Sequence, residues 1–235
     1  MIAEQPLHIL AFGAHPDDVE IGMGGTIAKH TASGYRVGII DLTEAEMSSN
    51  GTVELRKQEA ERANVALNVT VRDNLRLPDR GLRVEQEHID AVVRAIRYHR
   101  PRIVFMPYWE DRHPDHIQCS RIVQEAVFNA KLRRYMPEMP AHQVEQVYFY
   151  FINDSVSPQL VLDISDVYEQ KRQSLLAYES QFTKPNGSDD LVATPLNQGY
   201  VERVEARDAL LGQGRGMAYA EGFMLKGPYQ VSLFK

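Results

Sequence analysis

The chain has one cysteine in 235 residues, Cys119. It can form no internal disulfide, which fits a reducing compartment. No apolar run approaches the ~20 residues that cross a bilayer. The first residues, Met1-Ile2-Ala3-Glu4-Gln5-Pro6, carry neither a basic n-region nor an apolar h-region. The expectation is a cytoplasmic protein with no signal peptide and no membrane partner. Positive charge is also scarce: 26 Lys and Arg against 32 Asp and Glu leave a net charge of -6. That argues against nucleic acid as a partner, because phosphate binding needs a basic face. Internal repeats, low-complexity tracts and linker-like shifts in composition are missing too. One domain over 1–235 is therefore expected, with a core in 1–135 and additions in 136–235.

What is present is alternation. Residues 7–14 are apolar on both faces, as a central parallel strand reads. A helix follows to about Ser33, where Gly34 is a plausible stop. Residues 35–43 are a second strand, rich in β-branched side chains. Thr52 looks like an N-cap for a helix reaching Leu67. Then come a strand at 69–75, a turn at Pro78-Asp79-Arg80-Gly81 and a helix over 85–99 with Ile89, Val92, Val93 and Ile96 on one stripe. A strand at 103–108 and a helix over 115–132 complete a fourth unit. This is the α/β signature: a Rossmann-like, doubly wound, mostly parallel sheet with helices on both faces. Further on, strands are expected at 144–152 and 160–164, helices at 165–181 and 200–211, and a long loop at 183–197 carrying Pro185-Asn186-Gly187. The tail 212–235 shows no clear period.

Two His/Asp clusters stand out. Ala14-His15-Pro16-Asp17-Asp18 follows the first strand, and His113-Pro114-Asp115-His116 follows the fourth. In a sheet of order 3-2-1-4-5 those strands are neighbours at the point where the direction of build reverses, and ligands bind beyond their carboxyl ends. Connectivity alone therefore predicts that the clusters meet. His15, Asp18 and His116 offer two nitrogens and an oxygen with positions left open, a catalytic rather than a structural metal arrangement. Asp17 cannot point the same way as Asp18 and is free to act as general base. His113, one helical turn before His116, is placed to donate a proton or stabilise an oxyanion. Asp115 is placed to fix its tautomer.

Each residue alone has a plainer reading. A single His at a strand end is commonly hydrogen-bonded scaffold, and a single Asp before a helix is commonly its N-cap. The grouping at one crevice is what favours a site. A different class, a dinucleotide-binding oxidoreductase, is suggested by Gly22-Met23-Gly24-Gly25 with Asp41 at the end of strand two. The fingerprint needs its first glycine at the strand–helix turn, however. Here that turn holds Asp17 and Asp18, which repel a pyrophosphate, so the glycines read as helix–sheet packing. A metal-sensing protein without turnover is the other alternative.

At these clusters the sequence resembles the LmbE-like (PIG-L) family of metal-dependent N-acetylglucosaminyl deacetylases. Its pattern Ala-His-Pro-Asp-Asp-Glu matches Ala14–Asp18, with Val19 intervening before Glu20, and its His-x-Asp-His matches His113–His116. Tyr178-Glu-Ser-Gln-Phe182 and Tyr219-Ala-Glu-Gly-Phe223, among other stretches, resemble the bacillithiol-biosynthesis subgroup, which acts on N-acetylglucosaminyl malate. The resemblance implies zinc on His15, Asp18 and His116, with Asp17 as base and His113 as transition-state partner oriented by Asp115. Iron is the alternative ion, since such donor sets accept either. The resemblance also points to Arg56 and Tyr200 as substrate contacts and to a homo-oligomer, a hexamer. Arg80 and Arg112, on loops at the same sheet edge, would hold sugar hydroxyls or carboxylates, or are solvated surface. The partner is then a small N-acetylated amino sugar. Chitooligosaccharide deacetylase and thiol S-conjugate amidase are the neighbouring activities.

Overall fold

Sequence alternation becomes a seven-stranded sheet in a computed structural model that describes residues 3–183 and 191–228. The middle of the expected loop, with Pro185-Asn186-Gly187, and the end of the tail lie outside the described residues. The strands are β1 Ile9–Gly13, β2 Val37–Asp41, β3 Val71–Asn74, β4 Ile103–Pro107, β5 Gln146–Tyr150, β6 Leu160–Asp163 and β7 Ala220–Met224. Their spatial order is β3-β2-β1-β4-β5-β7-β6. The first five are parallel, and β1 lies between β2 and β4. β7 pairs antiparallel with both β5 and β6.

The helices are α1 Asp18–Ala32, α2 Val53–Leu67, α3 Gln86–His99, α4 Pro114–Ala130, α5 Tyr168–Leu176, α6 Glu179–Phe182 and α7 Tyr200–Gln213. β1 is buried at every residue. Its Leu10 and Phe12 pack with Ile89, Val92 and Ile96 of α3 and Ile122 and Val123 of α4. Its Ile9 and Ala11 pack on the other face with Ile21 and Ile27 of α1 and Val201 and Val204 of α7. Period-two alternation thus divides one strand between two cores.

Three elements differ from the sequence reading. The helix expected over 165–181 is a 3-10 turn, Ser165–Val167, followed by α5 and α6. The break near Tyr178 lets its hydroxyl reach Glu20 at 2.9 Å and lets Ser180 donate to Glu59. The tail contains β7, hidden by its short Ala-Glu-Gly-Phe-Met run. Finally, α1 is broken at Met23 (φ −149°, ψ 22°). The glycines around that break do serve packing: a Cβ on Gly22 would lie 2.1 Å from the Tyr150 ring, and one on Gly25 would lie 2.6 Å from Ile164. Asp41, the would-be ribose acid, is taken by Arg72 at 2.7 and 2.9 Å.

Candidate metal centre and active site

Beyond Gly13 the chain must turn from β1 into α1, and Asp17 holds the N-cap position. Its backbone is strained for a non-glycine residue (φ 122°, ψ −26°), and its side chain makes no capping bond. Such a conformation costs about 1–3 kcal/mol and persists only where its surroundings impose it. The Asp18 carboxylate instead accepts from the His15 amide at 2.9 Å, which closes the turn. Neither acid is spent as the ordinary cap that a single Asp at this place would be.

The second loop enters α4 by a different device. His113 is the N-cap residue, its Nδ1 accepting from the Asp115 amide at 3.2 Å, and Pro114 takes the first helical position, where a missing N–H costs nothing. His116 then lies in the first turn. Because β1 and β4 are adjacent, the loops meet. His116 Nε2 is 3.1 Å from Asp18 Oδ1, and His15 Nδ1 is 3.5 Å from Asp18 Oδ2. The His113 ring stacks on His116 with centroids 4.6 Å apart and lies 4.9 Å from His15. Donor atoms of His15, His113 and His116 all fall within 4.8 Å of one another, as do those of His15, Asp79 and Asp115.

His15 and His116 each have a carboxylate behind the imidazole. Asp79 Oδ1 lies 3.1 Å from His15 Nε2, and Asp111 Oδ1 lies 3.0 Å from His116 Nδ1. Both acids are anchored. Asp79 accepts from the Met47 amide, and Asp111 from the amides of His113 and Asn153 and the side chain of Asn153. When these imidazoles are neutral and donate to Asp79 and Asp111, their lone pairs lie on His15 Nδ1 and His116 Nε2, the two atoms that face Asp18. The sequence reading assigns Asp79 only to a turn and does not single out Asp111.

Asp115 differs from its expected part. Its carboxylate takes the Arg80 amide at 2.7 Å and the Arg80 guanidinium at 3.1 Å, and lies 3.7 Å from His15 Nε2. The partner of His113 Nδ1 is the Asp115 backbone amide. Arg80 is thereby tied to Asp115, with its side chain half exposed at the rim. The Tyr200 hydroxyl donates toward Ile152 O and Asn153 Oδ1. Arg56 is buried beside Asp17, with Nη1 3.5 Å from Asp17 Oδ2. Its Nε and Nη1 have no hydrogen-bond partner among the described residues. Glu20, displaced by Val19, is buried against Arg72 and Tyr178. Arg56, Tyr200, Arg80 and Arg112 all line one cleft of about 280 Å³ with the two clusters.

The charges follow from this crowding. Burial pushes the Asp17 carboxyl up to about 7, against the pull of Arg56 and with the help of Asp18. Burial would raise Asp18 as well, but the facing His116 and His15 hold it well below the usual carboxylate range. Burial would lower His116, yet Asp18 and Asp111 bring it up to about 9. His15 is likewise raised, against its burial, by Asp115, Asp18 and Asp79. His113 goes the other way, to about 4, through burial and the neighbouring His116 and His15. Five carboxylates thus lie around three imidazoles, with Arg56 beside Asp17 and Arg80 on Asp115. The donor set of nitrogen, nitrogen and carboxylate oxygen around His15, His116 and Asp18 suits a borderline ion such as zinc.

Known proteins resemble this chain in sequence and in fold. The family model described as PIG-L: GlcNAc-PI de-N-acetylase matches residues 10–127. A diacetylchitobiose deacetylase of Thermococcus kodakarensis is 34% identical, over 74% of this chain and 70% of that protein. A 1D-myo-inositol 2-acetamido-2-deoxy-alpha-D-glucopyranoside deacetylase of Geodermatophilus obscurus is 27% identical, over 94% of this chain and 84% of that protein. The crystal structure of the conserved protein TT1542 from Thermus thermophilus superposes with a TM-score of 0.89 at 37% identity, over 97% of this chain and 99% of that one. The chain belongs to the PIG-L family of metal-dependent N-deacetylases.

Proposed function

We propose that this PIG-L family member hydrolyses the acetamide of an N-acetylglucosaminide, with N-acetylglucosaminyl malate as the substrate. The reading is carried by Asp17, whose buried carboxyl makes no capping bond and lines the cleft with His15, Asp18 and His116. The relatives named above act on acetylated glucosamine units with different aglycones, which supports the acetamide as the common target. The malate aglycone rests on the subgroup resemblance. It is supported by three guanidiniums on the cleft wall, those of Arg56, Arg80 and Arg112. A divalent cation held by His15, Asp18 and His116 would supply Lewis acidity at the acetamide carbonyl and acidify the attacking water.

Asp17 takes the proton of that water as its oxygen attacks the carbonyl carbon. His113 Nδ1 is occupied as an acceptor from the Asp115 amide. Its Nε2–H is left to donate to the developing oxyanion. The C–N bond then breaks, Asp17 returns the proton to the departing amine, and acetate and a free glucosaminide result. Arg56, Arg80 and Tyr200 line the substrate side. We also propose zinc as the ion, one catalytic domain over 1–235, and a cytoplasmic homo-oligomer, a hexamer by family resemblance.

Acetate release measured side by side on N-acetylglucosaminyl malate and diacetylchitobiose, with metal analysis of the same sample, tests this reading. A clear preference in kcat/KM for the malate glucosaminide is expected. A preference for diacetylchitobiose would move the chain to the second reading, which the Thermococcus kodakarensis relative favours. Release from neither would refute the proposed function.

A further inference from the structure

α1 is two helical segments end to end. The break at Met23 strands backbone groups on both sides. Distant side chains take them up. Arg207 Nη2 donates to the Ile21 carbonyl at 2.8 Å. Glu221 accepts from the Gly25 and Thr26 amides at 2.9 and 2.7 Å and from the Thr26 hydroxyl at 2.6 Å. A buried chain of charge joins these two side chains. Arg207 Nε meets Asp208 Oδ1 at 3.1 Å, and Lys171 Nζ lies 2.6 Å from both Asp208 Oδ2 and Glu221 Oε1.

Arg207 also reaches a second element. Its Nη1 donates to the Ile152 carbonyl at 3.0 Å, just beyond the end of β5. The next residue, Asn153, holds both oxygens of Asp111 through its amide (3.0 Å) and side chain (2.9 Å). Asp111 in turn holds His116 Nδ1 at 3.0 Å. On the other side, Ile21 lies in the short turn that begins with Asp18. One planar fork therefore ties the turn carrying Asp18 to the strand end that aims His116.

We propose that Arg207 is a positioning residue that sets the spacing between the two halves of the metal centre. The proposal rests on the assignment of Asp18 and His116 as ligands. A site assembled from two loops needs such a strut, because ligand geometry must be held to within about 0.5 Å. A guanidinium can serve two separate carbonyls at fixed spacing, and a lysine ammonium does not reproduce that fork.

The test uses Arg207→Lys and Arg207→Gln in the full chain. Hydrogen exchange of the metal-free protein is followed at 18–25 and at 151–154, and Co2+ affinity and absorption spectrum are recorded. Arg207→Lys retains a cation beside Asp208, so its Tm should stay close to that of the parent. Exchange should nevertheless rise together at both segments. Co2+ should bind about tenfold more weakly with an altered spectrum, the range seen when groups behind metal ligands are removed. Unchanged exchange at either segment, or a rise confined to one, overturns the proposal. If Arg207→Gln does not fold, Arg207→Lys decides alone. His116→Ala separates the two claims: if it binds Co2+ as the parent does, the ligand assignment fails, and exchange in the metal-free protein alone decides the role of Arg207.

Discussion

His116 and Asp18, one from each of two loops far apart in sequence, meet at 3.1 Å. Behind His116 stands Asp111, and behind His15 stands Asp79. If these outer carboxylates set which ring nitrogen is free, replacing either should weaken metal binding while leaving the ligands in place. Asp111→Asn and Asp79→Asn should each lose about 10- to 100-fold in metal affinity. Competition with a chelator measures this. Unchanged affinity in both variants would remove the orienting role.

The donors of the proposed metal site, from β1–α1 and from the start of α4, meet only in the folded chain, so metal binding should stabilise the fold. With Zn2+ at 100 times its Kd, the gain should be about 2.7 kcal/mol, read as a rise in Tm. The rise should vanish in His15→Ala and in Asp18→Ala. A rise that persists in both would place the ion elsewhere.

Arg97 makes a prediction about stability alone. Its fully buried guanidinium donates to five carbonyls, those of Asn129, Ala130, Leu132, Met136 and Met139. It closes the C-terminal end of α4 and gathers the loop beyond it. Arg97→Met leaves those acceptors unpaired and should cost about 3 kcal/mol or more, seen in the urea midpoint. Arg97 does not line the cleft, so kcat below the transition should be unchanged.

Gly22→Ala sets a Cβ against the Tyr150 ring, whose hydroxyl is bonded to the Phe12 carbonyl and cannot easily yield. Overpacking of this kind costs about 1–3 kcal/mol. Thermal unfolding should show the loss. Gly34→Ala is the control for a glycine whose added Cβ meets nothing, where only its positive φ is penalised.

Strand alternation and the two His/Asp clusters were legible in the sequence because connectivity forces β1 and β4 together. Which carboxylate stands behind which imidazole was not, because Asp79 and Asp111 sit on loops with no period to mark the direction of a side chain. The same holds for Asp115, whose amide rather than its carboxylate meets His113. β7 was hidden by its brevity and by Gly222. The break in α1 was hidden because the groups that satisfy it, on Arg207 and Glu221, lie far along the sequence.

The proposed mechanism makes Asp17 the base and Asp18 a ligand, though the two are adjacent. The direct measurement is metal content and acetate release on one sample of Asp17→Asn. The parent's metal content with kcat reduced by about 10²- to 10⁴-fold is expected. Near-parental kcat with the metal retained would contradict it.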